Sequence, residues 1–390
     1  MAGFFCPNSY PQHSFDGIGG RGVQNCPRYQ LVTIFWGHFG RRRQHGRRAA
    51  YGRGIRARFP WALGGFARAQ AGGVRHARLG PETSRFGVAC VIISQMRHNL
   101  PPTPAFREML PNDPIQEVAL RVVVELPDWK FYTIGTASLI GGHLAITARH
   151  VIEGITRRFG ATQSPGKLEV DGYSIHLYQV LPPGAVYRIW RVFTAWMCES
   201  DIAILHVGLD GTSAPDSTVN WRVPLVRVMP PPPGSKVLAV GYREGKIEVS
   251  EDTNGTHHIV LNDRGTTSIG EVGNIFPDRR DSSMLTFPCF EVMARFAPGM
   301  SGGMVIDEDG ALCGLVCAGT EFSDPNAPPL SYAVTLWPML RTVISADRGD
   351  KYPRGVQYPM VDLALDKLIN VAGLDKLDPK LFPGRILTSP

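Results

Sequence analysis

Apolar and polar positions alternate in short blocks along most of the chain beyond residue 115, and the blocks are rich in β-branched and aromatic residues. EVALRVVVEL (117–126) and FYTIGTASLIG (131–141) are two such runs joined by a short PDWK connection, which predicts a hairpin. HLAITA (143–148) reads as a third strand, and ARHVIEGI after it as one helical turn. KLEVDGYSIHLYQVL (167–181), VYRIWRVFTAW (186–196), DIAILHV (201–207), KVLAVGY (236–242) and HHIVLN (257–262) continue the strand pattern. So do MVIDEDGALCGLVCAG (304–319) and SYAVTL (331–336). Asp309-Gly310 between two apolar runs is a strong hairpin signal. Many short strands at regular spacing, with turn residues between them, predict an all-β sandwich or barrel.

PPPP at 230–233 interrupts the pattern about midway, a natural crossover between two halves. Past residue 345 the strand signals cease. VDLALDKLIN (361–370) has apolar residues at helical spacing and predicts a docked terminal helix in a tail over 346–390. No internal repeat is evident.

Charge divides the chain in two. Its net charge is +7 over 390 residues, yet residues 1–95 hold fourteen arginines, no lysine and only Asp16 and Glu82 as acids, a balance of +12. The other 295 residues therefore carry −5. The segment RRRQHGRRAAYGRGIRARF (41–59) has no clear helical or strand period and too little apolar surface to offset the entropy of ordering. Three readings of residues 1–95 stand open: an arm that binds nucleic acid, a transit peptide, and sequence upstream of the true start at Met96. Arginine and glycine with aromatics suit the first, the glycines spoil the amphipathicity of the second, and arginine without lysine favours the third.

The seven cysteines are scattered and odd in number, and Cys313 and Cys317 lie too far apart along one strand to bridge each other. Buried free thiols in a reducing compartment are expected. Clustered Cys and His spacings of a zinc site are absent, so no metal and no cofactor are expected. No apolar stretch approaches the ~18 residues of a membrane span. The first thirty residues lack the pattern of a secretory signal, which makes the cytoplasm the expected location.

Candidate chemistry begins at FAPGMSGGMVID (296–307), where one serine stands among glycines at the mouth of an apolar run. Glycines let the backbone turn sharply and let a carbonyl approach the amides without meeting a Cβ. Such a stretch is either a catalytic elbow or an ordinary turn. A serine hydroxyl is a poor nucleophile unless a base takes its proton and donors receive the oxyanion. His150 in ITARHVIE, at the end of a strand, and Asp201 in ESDIAILHV, opening a strand, are candidates for base and orienting carboxylate. Taken singly, each is equally a packed or turn residue.

The ordered set TA-x-H, an acid opening DIAIL, and G-x-S-G-G, with gaps of 51 and 100 residues, resembles the trypsin/chymotrypsin-like serine protease superfamily, nearest its short bacterial-type members. GTASLIGGHLAITARHVI (135–152) resembles the paired strands ahead of that family's histidine, KVLAVGY the strand entering the second barrel's glycine turn, GLVCAG the substrate-pairing strand and SYAV the strand closing the specificity pocket. The likeness spans about residues 115 to 345 within a domain of 96–345. It implies two six-stranded antiparallel β-barrels, over about 115–229 and 234–345, with the active site between them. It implies Ser301 as nucleophile, His150 as base, Asp201 as its orienting partner, and the amides of Gly299 and Ser301 as oxyanion hole. Cys317, Ala318 and Gly319 would pair with an extended peptide substrate as an added strand. A catalytically inactive barrel that binds peptides or proteins in its cleft is the alternative, and nucleic acid is a partner only if the basic extension is real.

Three departures change the picture. Met300 stands where many secreted members carry the aspartate that pairs with a freshly cut N-terminus. Arg149 replaces a small residue before the histidine. Cys317 replaces the serine whose hydroxyl often supports the buried carboxylate, and a thiol is a weaker donor. Counting back from Ser301 puts Arg295 near the base of the specificity pocket. Pointing inward it would favour an acidic residue before the cut, and a one-residue shift of register would turn it to solvent. With no carboxylate at position 300, activity is expected without N-terminal processing. Peptidase assays on the full chain and on one beginning at Met96 check this, and a sharp gain on trimming would overturn it.

Overall fold

The computed structural model describes residues 32–36 and, with breaks in several loops, residues 106–387. All of these belong to one compact unit, residues 31–390. Twelve strands form two barrels. The first comprises β1 (Ala119–Leu126), β2 (Lys130–Gly141), β3 (Leu144–Thr147), β4 (Ser174–Leu181), β5 (Val186–Met197) and β6 (Ala203–Thr212). They close in the order β1-β2-β3-β6-β5-β4, every pairing antiparallel. The second comprises β7 (Lys236–Glu251), β8 (His257–Phe276), β9 (Cys289–Val292), β10 (Met304–Asp307), β11 (Leu312–Gly319) and β12 (Ser331–Val334). Its order is β7-β8-β9-β12-β11-β10, closed by β10 back onto β7 and again antiparallel throughout. Counted from its own first strand, the second barrel repeats the connectivity of the first. The duplication that the sequence does not display is therefore present in the topology.

Strand alternation explains how the barrels come to share a face. In β3, Ala145 points into the first barrel's core, while Leu144 and Ile146 join a second core between the barrels. In β6, Ala203, Leu205 and Val207 face the barrel interior and Ile204 faces the shared core. β7 and β10 mirror this: Val237, Ala239 and Val305 fill the second barrel, and Leu238, Val240, Met304 and Ile306 face the first. Strands buried on both sides read as unbroken apolar runs, which is the texture of DIAILHV and KVLAVGY.

Several elements differ from expectation. The expected single turn after β3 is an eleven-residue helix, α1 (Arg149–Phe159), which buries Val151, Ile152 and Ile155 and ends at Gly160, φ 75°. KLEVDGYSIHLYQVL divides into two strands, Lys167–Glu169 and β4. The tail helix, α2 (Met360–Leu365), is six residues long, because Asp366 caps it and Lys367 takes φ 58°. The tail is also not free of strands. Tyr358–Pro359 pairs with Val343–Ile344, and Val371–Ala372 lies parallel to Val226–Arg227 beside the second barrel. Met360, Leu363, Ile369 and Phe382 bury the tail against the shared core. The Asp309-Gly310 hairpin turns as expected, with Gly310 at φ 81°.

The β7–β8 hairpin is far longer than its barrel requires. Its outer part carries Ile247, Val249, Ile259 and Leu261 onto Val123, Tyr178 and Ile189 of the first barrel. The backbone of Val32–Trp36 pairs antiparallel with the outer end of β8, from Leu261 to His257. The rest of the basic extension lies outside the described residues, as do Cys6, Cys26 and Cys90. The four cysteines that are described, Cys198, Cys289, Cys313 and Cys317, are buried free thiols. Among the described residues no helix is long and apolar enough to cross a membrane.

One polar residue joins the barrels at the loop carrying Ser301. Thr136 of β2 is fully buried. Its N–H donates to the Ser301 carbonyl at 2.9 Å, and its hydroxyl donates to the Gly299 carbonyl at 2.9 Å. The same hydroxyl accepts from Tyr242 N–H at 2.9 Å, and its own carbonyl accepts from the Thr147 hydroxyl at 2.6 Å. Replacing Thr136 by valine leaves the Tyr242 amide and the Gly299 carbonyl without this partner. The Thr136→Val chain is expected to lose at least about 2 kcal/mol of stability, because a buried group left unmet costs its desolvation. Thr136→Ser should restore most of it, and equal denaturation midpoints for valine and threonine would refute the account.

Candidate active site

Asp201 opens the segment into β6 and is 7% exposed. One carboxylate oxygen accepts the backbone N–H of His150 at 3.0 Å, and the other lies 2.8 Å from His150 Nδ1. The first contact has a local reason. α1 begins at Arg149 with Ala148 before it, so no side chain of its own caps the helix. Asp201, 51 residues away, supplies the missing acceptor, and its negative charge sits at the positive end of the helix dipole. The second contact then fixes the imidazole ring. A ring that donates from Nδ1 to a carboxylate carries its lone pair on Nε2, the atom turned away from Asp201.

Cys317, at the end of β11, approaches the same carboxylate from the other side. Its thiol is buried, and Sγ lies within 4.8 Å of an Asp201 carboxylate oxygen. Burial first, then the nearby Asp201 charge, holds its pKa well above the ordinary thiol range. Arg149 turns away from the imidazole, with Nε 2.7 Å from Glu153 and a second nitrogen 3.0 Å from the Cys198 carbonyl.

The Ser301 loop is built by its glycines. Gly299 has φ 89° and Gly302 φ 79°, conformations open to glycine at little cost. A Cβ on Gly302 would stand 2.1 Å from the Thr147 hydroxyl and 2.7 Å from Ala148 N, so the loop lies directly against the end of β3 that leads to His150. A Cβ on Gly135 would lie 3.0 Å from both the Ser301 carbonyl and a Val151 methyl, which places Ser301 and the residue after His150 on either side of one glycine. Gly302 N–H donates to the Val316 carbonyl and Val316 N–H to the Gly303 carbonyl, both at 2.8 Å, tying the loop to β11. Met300 is a fully buried plug in the second barrel's core, which accounts for an apolar residue at that position. Ser301 itself is half-buried, and among the described residues no hydrogen bond joins it to the imidazole. Contacts of this kind are often long before a substrate is bound.

A cleft of about 600 Å³ opens between His150 and the segment Cys317–Gly319. Its far wall is Leu285, Phe287 and Tyr332, with the Arg280 guanidinium 4.6 Å above the Tyr332 ring. The expected strand residues Cys317, Ala318 and Gly319 therefore do border a cleft beside His150. Arg295 is exposed and does not line it. The backbone on either side of Arg295 is held by Ser331, whose hydroxyl donates to the Ala294 carbonyl at 2.7 Å and accepts from Phe296 N–H at 3.1 Å. Thr136 and the Leu285–Phe287 part of the far wall were not anticipated from the sequence, whereas Tyr332 falls in SYAV, the strand expected to close the pocket; a threonine inside a strand and a Leu-Thr-Phe loop carry no local signal.

Residues 135–315 match the family model of the trypsin-like peptidase domain. Among solved structures, a variant of the HtrA-type protease AlgW with a decapeptide is 17% identical, over 57% of this chain and 60% of that one, at a TM-score of 0.36. The active form of the Rv3671c protease from M. tuberculosis is 15% identical, over 66% of this chain and 97% of that one, also at 0.36. The chain thus spans about 60% of the length of the HtrA-type protease. No curated protein matches the chain. Two closed six-stranded barrels of repeated connectivity accord with the match of residues 135–315 to the trypsin-like peptidase domain.

Proposed function

We propose that this chain is a serine endopeptidase that cuts peptide bonds through an acyl-enzyme. The observation that carries the reading is the double grip of Asp201 on His150, through backbone and ring at once. That grip supports the tautomer a general base needs, with Nε2 free to accept a proton. In this mechanism Ser301 Oγ attacks the scissile carbonyl as Nε2 of His150 takes its proton. The carbonyl oxygen becomes an oxyanion received by the N–H groups of Gly299 and Ser301. The imidazolium, stabilised by Asp201, then gives its proton to the leaving amine, and water repeats the sequence to release the acid. An extended peptide lies along Cys317–Gly319, with one face toward Leu285, Phe287 and Tyr332.

The positive φ of Gly299 supports the oxyanion role, since the turn directs its amide where a side chain would otherwise intrude. Thr136 holds the carbonyls of Gly299 and Ser301, and Gly303 N–H holds the Met300 carbonyl at 2.8 Å, so the Ser301 amide of that peptide plane has little freedom to rotate.

Labelling by a fluorophosphonate probe tests the reading. The full chain is expected to label once, at Ser301, and Ser301→Ala to abolish it. Absence of labelling in the folded wild-type chain would overturn the proposal and leave the cleft as a peptide-binding surface. Asp201→Asn retains an oxygen acceptor for the helix end but favours the wrong tautomer, so kcat should fall by about 10⁴-fold. A decrease shown only in KM would speak against the orienting role.

A further inference from the structure

His150, Asp201 and Cys317 come from three separate segments, yet one imidazole nitrogen, a carboxylate oxygen and Sγ all lie within 4.8 Å of one another. A four-coordinate zinc ion has bonds of about 2.0–2.3 Å, which puts ligand atoms roughly 3.5 Å apart. To share one ion, the Nδ1–carboxylate pair, now 2.8 Å apart, must widen modestly while the thiol sulfur, within 4.8 Å of both, draws in. We propose that they form an inhibitory site for a soft divalent metal ion, zinc first, which closes the candidate active site when it binds.

Imidazole and thiolate together select zinc over magnesium or calcium, which prefer all-oxygen sites. A carboxylate as third ligand supplies a second negative charge beside the thiolate, so the bound ion is neutralised in a largely buried place. Access runs through the cleft that His150, Asp201 and Cys317 line together. His150 has 38% of its side chain exposed and forms the entrance, while Asp201 and Cys317 lie behind it. The open fourth position is filled by water.

The protonation change is definite. In the metal-free chain the neutral imidazole carries its proton on Nδ1 and the cysteine is a thiol. Metal binding takes the lone pair at Nδ1, so the imidazole proton resides on Nε2, and the thiol loses its proton to solvent. One proton is released for each ion bound. With Nε2 protonated, the ring cannot accept the proton of Ser301, and Asp201 no longer orients it. The inhibitory half of the inference rests on the peptidase reading; the binding half does not.

Titration of the metal-free full chain with Zn²⁺ and Cd²⁺ separates the two. Calorimetry in buffers of different ionisation enthalpy should give one ion and one released proton per chain. Cd²⁺ should produce an ultraviolet thiolate-to-metal charge-transfer band. In Cys317→Ser, with folding checked by thermal unfolding, the band should vanish and affinity fall at least about tenfold, the minimum for loss of a direct ligand when even outer-shell changes cost that much. His150→Ala should also weaken binding while the other buried cysteines remain. Zn²⁺ should block fluorophosphonate labelling of the wild-type chain, chelator should restore it, and blocking any labelling of Cys317→Ser should need at least about tenfold more Zn²⁺. A band that persists undiminished in Cys317→Ser, or no binding at all, overturns the site. Binding as described in a chain that never labels would uphold the metal site and sink the peptidase reading alone.

Discussion

The carboxylate of Asp201 is the constraint on which the site depends. A helix that starts without a cap of its own needs an acceptor at its first turn, and here the acceptor arrives from the segment leading into β6, the strand paired directly with β3. Because one oxygen is committed to the helix and the other to the ring, the imidazole cannot swing without disturbing the secondary structure that carries it. A functional hydrogen bond has been made part of a helix terminus, and the stability of α1 and the orientation of His150 are one quantity. The cost is a buried negative charge, compensated by backbone and side-chain donors rather than by a cation.

The second element of the design is the face shared by the two barrels. Alternate residues of β3, β6, β7 and β10 are apolar on both sides, so each barrel completes the other's exterior. The site lies at the rim of this face, where the apolar contact gives way to Thr136, the glycine loop and the cleft. The tail reinforces the same face through Met360, Leu363 and Phe382. The two barrels thus act as a single scaffold for side chains drawn from positions 136 to 317.

The strands were legible because their periodicity is local, and His150, Asp201 and Ser301 could be singled out as candidates because each carries a short motif in a fixed order. What stayed hidden was set by long-range contact. The length of α1 depends on Val151, Ile152 and Ile155 finding the first barrel's core, which no single turn of ARHVIEGI reveals. The tail helix stops at Asp366 because the chain must turn to lay Val371–Ala372 beside Val226–Arg227. The grouping of Cys317 with His150 and Asp201 was invisible for the same reason. Metal sites are recognised in a sequence by close spacing, and these three residues span more than a third of the chain. Arg295 illustrates the converse: counting along the chain could not give the direction of its side chain, which is exposed while that of Ala294 beside it is buried.

The overlong β7–β8 hairpin bears on how the molecule can move. It leaves the second barrel and lies on the outside of the first, with Ile259 and Leu261 seated on Val123 and Ile189. A hinge between the barrels would have to peel that strap away and expose its apolar underside to water. Clamshell opening is therefore an expensive motion, while rotation of single side chains at the rim is not. Control of access to the cleft falls to those small rotations and to whatever chemistry reaches them.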